Sequence, residues 1–366
     1  MHICLNKGSA LALLRSLRAE EGGPDWTVCG VPDADPWPQK RWSRRIVPYL
    51  QLGRSESPSR SNPIEVIVPE VSAEPRASFF SVRTCDGNLP PGSFLRVTSE
   101  YTIPCPELLF LELSEAMDRA ALELVGYELC GSYARNAADP RTGGVTHGIE
   151  PVTSVRKIES YLDRCPGRRG LAAARAALRN VRDTAWSAME AIVSLMLVRE
   201  VEDLGYGISE VTLNEREDFA RELRGRSSAA VRIPDISLND LPIGFNYDGY
   251  GHLGLGSADV SSLGEIGLGA MLAAMREKYV DDIRRNRELL AHGRIVLPVV
   301  AEDLVERGGL DAVVLEAVLA AEHLVGSSGD VGARVRRALA NDRPARRQQL
   351  IWSIYPWHAG PSLGAY

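Results

Sequence analysis

Residues 232–252 read RIPDISLNDLPIGFNYDGYGH, and the fold turns on whether this stretch is a hairpin. Pro234-Asp235 opens a short apolar run, Ile236 and Leu238, that breaks at Asn239-Asp240. Leu241 to Tyr247 is a second strand-like run leading into the Asp248-Gly249 turn. Side chains alternate along a strand, so Asn246 and Asp248 point the same way and the hairpin brings Asp235 beside them. Oxygen donors grouped in this way suit a hard divalent cation, Mg²⁺ or Mn²⁺. Such an ion polarises a phosphate oxygen and acidifies a water, and His252, just past the turn, is placed to give or take a proton.

Flanking residues extend the pattern. Ser187-Ala-Met-Glu190 opens an apolar helix through Ile192, Leu195 and Met196. Downstream come Asp281-Asp282-Ile-Arg-Arg285-Asn-Arg, then Leu289, Gly293 and the apolar run Ile295 to Val300. Taken together, Glu190, Pro234-Asp235, the Tyr-Asp248-Gly-x-x-His252 run and the Asp-x-x-Arg helix resemble restriction-endonuclease-like domains related to the Vsr mismatch-repair nucleases. That resemblance implies an α/β domain with a central mixed sheet flanked by helices. It implies Asp235, Asp248 and Glu190 around Mg²⁺ or Mn²⁺, Asn246 at a further ligand position, His252 at a proton and Arg285 on a DNA phosphate. The chain departs from the family at Asn246, where most members carry a glutamate; the Vsr branch also lacks an acid there.

Single features here have plainer readings. An Asp-Gly turn between apolar runs is commonly just a hairpin, and an aspartate after proline is commonly a turn former. Gly249-Tyr-Gly251-His-Leu-Gly254 matches G-x-G-x-x-G, yet a glycine-rich stretch, Leu255 to Gly269, follows in place of an apolar helix, so no nicotinamide or flavin cofactor is expected.

The 366 residues suffice for two or three domains. Hydrophobic residues make up 45% and charged residues 25%, so neither wholesale disorder nor a membrane protein is indicated, and no apolar run is long enough to span a bilayer. Ala10 to Leu14 is interrupted by Arg15 and reads as a helix capped by Ser9 rather than a leader. Six cysteines without C-x-x-C spacing fit reduced, structural thiols and a cytoplasmic protein.

A net charge of −6 does not announce a nucleic-acid binder, so DNA binding depends on where the arginines gather. Lys40 to Arg45 pairs basic groups with Trp42. Arg168 and Arg169 precede a helix in which Arg175, Arg179 and Arg182 recur, and Arg168, Arg169, Arg175 and Arg179 are expected to form one basic surface. Arg334 to Arg347 is a third cluster. Any one of these clusters taken alone reads more simply as a solvated face.

Upstream, Gly53 to Pro63 is a polar loop or linker. Ile64 to Val68, Phe79 to Arg83, Phe94 to Thr98 and Tyr101 to Ile103 read as strands, and a helix opening at Pro106 carries Leu108, Leu109, Leu111, Leu113 and Met117. The Cys105-Pro-Glu-Leu-Leu-Phe-Leu-Glu-Leu113 run and Gly126-Tyr-Glu-Leu-Cys-Gly131 resemble the N-terminal half of AbiEi-type antitoxin-like proteins with a nuclease-like tail, as found in actinobacteria. The expected organisation is an α+β module over 1–150, a basic helical segment over 151–185, the nuclease-like domain over 186–325, and a helix and tail over 326–366. Expected partners are DNA and a toxin or other protein, with no membrane. Three functions stay open: a metal-dependent endonuclease, a non-cutting DNA-binding regulator of toxin–antitoxin type, and a protein-interaction scaffold.

Overall fold

Runs of β-branched and aromatic residues between Pro and Gly breaks form strands, and helices open behind Asn6, at Pro106, and behind Asp118 and Ser154. The computed structural model describes residues 3–20, 22–23, 26–29, 43, 47–71, 74–75, 77–85, 88–218, 231–248 and 265–355. They form two compact units, Met1–Ala188 and Met189–Tyr355, both mixed α/β. The second therefore includes the helices after residue 325. No helix among the described residues is long and apolar enough to cross a membrane.

In the first unit the order is β1 (Ile3–Cys4), α1 (Lys7–Ala19), β2 (Thr27–Cys29), β3 (Ile64–Val68), β4 (Phe80–Thr84), β5 (Phe94–Arg96) and β6 (Tyr101–Pro104). Then follow α2 (Pro106–Leu113), α3 (Arg119–Leu129), β7 (Tyr133–Ala134), β8 (Thr146–His147), α4 (Val155–Asp163) and α5 (Leu171–Leu178). One sheet runs β1-β6-β5-β2, and β3 pairs with β4 in parallel. The four expected strands and the helix start at Pro106 are present; that helix stops at Leu113, so Met117 lies beyond it. The cap of α1 is Asn6, whose Oδ1 accepts the Lys7 N–H at 2.8 Å, and not Ser9. Ser9 sits in the first turn, where its Oγ accepts from the Glu65 N–H. Arg15, which interrupts the apolar stretch, is buried against Glu128 with two short bonds of 2.8 and 2.6 Å.

The second unit runs α6 (Ala188–Val198), β9 (Val211–Leu213), β10 (Glu217–Asp218), β11 (Val231–Arg232), β12 (Ile236–Leu238), β13 (Ile243–Asp248), α7 (Glu265–Ala291) and β14 (Ile295–Val300). It closes with α8 (Ala301–Val305), α9 (Gly309–Val325), α10 (Gly329–Ala338) and α11 (Arg343–Ile354). Helix α6, apolar nearly all round, is buried nearly all round, as such a helix must be. The sheet order is β14-β13-β12-β9. β9, β12 and β13 are antiparallel neighbours, and β14 lies parallel to β13. Parallel neighbours need a long crossover, and α7 supplies it. Pro298 is tolerated in β14 because that strand is an edge among the described residues. The start of α7 at Glu265 means that the last part of the glycine-rich stretch, including Gly267 and Gly269, is helical and not loop.

Within this unit α9 to α11 are tied to the segment after α6 by Arg347. It is 1% exposed, pairs with Asp311, donates to the carbonyls of Leu204 at 2.9 Å and Ala338 at 2.8 Å, and lies over the Tyr206 ring. This arginine of the third basic cluster is a core residue, so it is not open to a phosphate.

Candidate functional site

The register that pairs Ile236 with Phe245 sets Asp235 opposite Asn246, and residues opposite each other in an antiparallel pair share a face. Asp248, two residues on, shares it too. Gly244 lies on the same face, where a Cβ would come within 2.8 Å of the Ile236 carbonyl oxygen; glycine lets the two strands and Pro234 close up. The hairpin is locked by two bonds across it: the Asp235 N–H donates to Asn246 Oδ1 at 3.0 Å, and Asp235 Oδ2 accepts the Tyr247 N–H at 2.7 Å.

Helix α7 brings Asp282 and Arg285 to this face. Arg285 Nη2 lies 3.1 Å from Asp282 Oδ1 and 3.6 Å from Asp248 Oδ1. Two carboxylates thus flank one guanidinium, with Asp235 on the same face of the hairpin as Asp248. Burial pushes the Asp235 carboxyl up to about 6; the Tyr247 N–H and Arg285 oppose that rise, while Asp248 and Asp282 add to it.

Glu190 reaches the hairpin through an intermediary. Its Oε1 accepts from Asn214 Nδ2 at 2.6 Å, and the Asn214 N–H donates to the Asp235 carbonyl at 3.0 Å. Glu190 therefore supports the backbone that carries Asp235. Among the described residues, no three His, Cys, Asp or Glu side chains are grouped so as to hold a metal ion. The donor set still suits a cation held by two carboxylates, the usual way Mg²⁺ is bound, with waters and phosphate oxygens completing its shell. Asn246 contributes least, because its Oδ1 is engaged by Asp235, and its Nδ2, buried without a hydrogen-bond partner among the described residues, is a donor. His252 and the cluster Lys40, Arg41, Trp42, Arg44 and Arg45 lie outside the described residues, as does the Gly249–Gly254 motif.

Two positioning residues escaped the sequence reading. Asn214 looks there like an ordinary turn former after a short strand. Arg232 clamps α7 from β11, with Nε 2.7 Å from Glu288 Oε2 and its two Nη atoms 3.1 and 3.0 Å from Asp281. Positions 281 and 288 are two turns apart on one helix face, so the clamp fixes the rotation that turns Asp282 and Arg285 to the hairpin. An arginine bordering a strand, with acids seven apart on a following helix, is the only signal the sequence offers.

The remaining predicted arginines belong to the first unit. Arg168 and Arg169 line a cavity together with Arg83 and Arg164. Arg175 is paired with Asp163 at 2.8 Å, and the Arg179 carbonyl accepts from Arg182. Compared with protein-family models, curated proteins and solved structures, the chain matches none.

Proposed function

We propose that the second unit is a restriction-endonuclease-like domain that acts on DNA. The observation that carries this reading is the sheet of β9, β12, β13 and β14, preceded by α6 and with α7 as its crossover, the β10-β11 pair being inserted after β9: an antiparallel trio and a parallel fourth strand, bearing Asp235 and Asp248 on one face. An Asp at the start of the second strand and an acid on the third are where the resemblance to Vsr-related domains puts the catalytic acids.

In this mechanism Asp235 and Asp248 would hold Mg²⁺ or Mn²⁺. Such an ion, when bound, neutralises charge on the scissile phosphate and acidifies a water. Asp235 must be ionised to serve, which its carboxyl, raised to about 6, favours above that pH. Asn246 holds the Asp235 backbone in place, and Glu190 holds it from the other side through Asn214. Arg285, kept beside Asp282 and Asp248, donates to a phosphate oxygen. His252 handles a proton.

A second reading is a non-cutting DNA-binding regulator in a toxin–antitoxin-like pair, which the AbiEi-like features of the first unit would suit. It is favoured by Asn246, a neutral group with its oxygen already engaged. Nicking of supercoiled plasmid by the full chain in Mn²⁺ tests the first reading. Parent activity that disappears in Asp235→Ala is expected. DNA binding that weakens with salt in a chain that never nicks would favour the regulator, and a chain that neither binds nor nicks DNA would sink both.

A further inference from the structure

The first unit holds a cavity of about 470 Å³, a size usual for small-molecule sites. One wall is α2, through Leu108, Leu111 and Glu112; the other is the turn Arg164–Arg169. That turn is pinned to the end of α2, where Ser114 Oγ donates to the carbonyls of Gly170 at 2.9 Å and Leu111 at 2.6 Å. Gly170 has φ +80°, and a Cβ there would fall 2.4 Å from Ser114 Oγ, so only glycine lets the turn close on the helix.

The lining has an excess of positive charge. Arg83, Arg164, Arg168 and Arg169 face Glu115, whose carboxylate is already paired with Arg83 at 3.0 Å and Lys7 at 3.1 Å. The cavity also carries Glu112, which is 5% exposed and whose Oε2 has no hydrogen-bond partner among the described residues. A buried carboxyl oxygen without a partner is costly and calls for one. Burial lifts this carboxyl to about 7, with Glu115 adding to the rise and Arg83, Lys7 and Arg168 opposing it, so near neutral pH it both donates and accepts.

We propose that this cavity binds a small phosphorylated ligand of the mononucleotide type: phosphate on Arg164, Arg168 and Arg169, a heterocycle against Leu108 and Leu111, and its N–H edge on Glu112. Guanidinium forks suit phosphate oxygens. The buried Glu112 carboxyl, flanked by Leu108 and Leu111, suits the N–H edge of a ring, which a sugar phosphate lacks. The site is independent of the carboxylate face in the second unit.

Calorimetry on the full chain tests it, with the four ribonucleoside monophosphates, the matching nucleosides, ribose 5-phosphate and inorganic phosphate as probes. One monophosphate should bind at least about tenfold more tightly than its nucleoside, ribose 5-phosphate or phosphate. Arg168→Ala with Arg169→Ala should weaken it about tenfold or more, and so should the single change at exposed Arg169 if the pair impairs folding. Glu112→Gln should lower monophosphate affinity without lowering phosphate affinity. Monophosphates that bind no better than phosphate, or that bind the variants as well as the parent, would overturn the proposal.

Discussion

The two sites are charge inverses. In the first unit four guanidiniums line a cavity with a buried carboxyl; in the second, the carboxylates of Asp248 and Asp282 flank one guanidinium beside Asp235. Both raise the pKa of their most buried acid, Glu112 and Asp235, and burial is the main cause each time. The difference is in the neighbours. The arginines around Glu112 offset part of its rise and leave a net attraction for anions, whereas Asp248 and Asp282 add to the rise at Asp235 and leave a net attraction for cations. The surrounding balance, more than the central residue, sets the sign of the ligand.

The largest test of that contrast is to erase one side of it. Asp235→Asn with Asp248→Asn should abolish metal-dependent nicking and leave monophosphate binding in the first unit unchanged; loss of both together would mean that the contrast is not local. Next in size is Arg232→Ala, which removes the guanidinium 2.7 Å from Glu288, a carboxylate only 8% exposed. Breaking such a pair should cost about 3 kcal/mol, read as a lower urea midpoint for the second unit's transition. An unchanged midpoint would show that the clamp on α7 is dispensable.

Glu112 gives a pH signature of comparable ceiling. Its folded-state pKa, about 7, lies above the ordinary 4.5, so the folded chain holds this proton more tightly than the unfolded chain. Its stabilising contribution is complete below about pH 4.5 and is lost as pH rises to 7, by up to about 3 kcal/mol at about 1.4 kcal/mol per unit. Glu112→Gln should remove that slope from ligand-free melting curves, and an identical slope in the variant would assign it to another group. The smallest expected effect is a gain: Asn246→Asp keeps the size and the acceptor for the Asp235 N–H, removes the buried Nδ2 and adds a charge. Mn²⁺ affinity at pH 8.5 should rise on the order of tenfold; a fall would show that a third carboxylate on this face takes up a proton in place of binding metal.

Much of the frame was legible in the sequence because it follows from local pattern. Alternation and turn residues located the hairpin of β12 and β13, β-branched runs located β3 and β14, and Pro106 marked the start of α2. Asp235, Asn246 and Asp248 could be put on one face from period and register alone. What escaped depends on tertiary partners. Ser9 was a plausible cap until the backbone put Asn6 there, and Arg347 looked like one more member of a basic cluster until Asp311 paired with it in the core. Glu112 passes for the polar side of an amphipathic helix, since nothing in Pro-Glu-Leu-Leu-Phe-Leu-Glu-Leu says which glutamate is buried. Glu190 could be drawn toward the hairpin, but its route through Asn214 depends on a left-handed residue, φ +51°, at the end of β9.

The central claim is that Asp235 and Asp248 form a divalent-cation site, and titration of the full chain with Mn²⁺, read by the electron paramagnetic resonance of the free ion, measures this most directly. The account predicts binding to the parent at pH 8 that weakens as pH falls through about 6, where Asp235 takes up its proton, and no binding at this site in Asp235→Asn/Asp248→Asn. A parent that takes up no Mn²⁺ at pH 8, or a double variant that takes up as much as the parent, would contradict it.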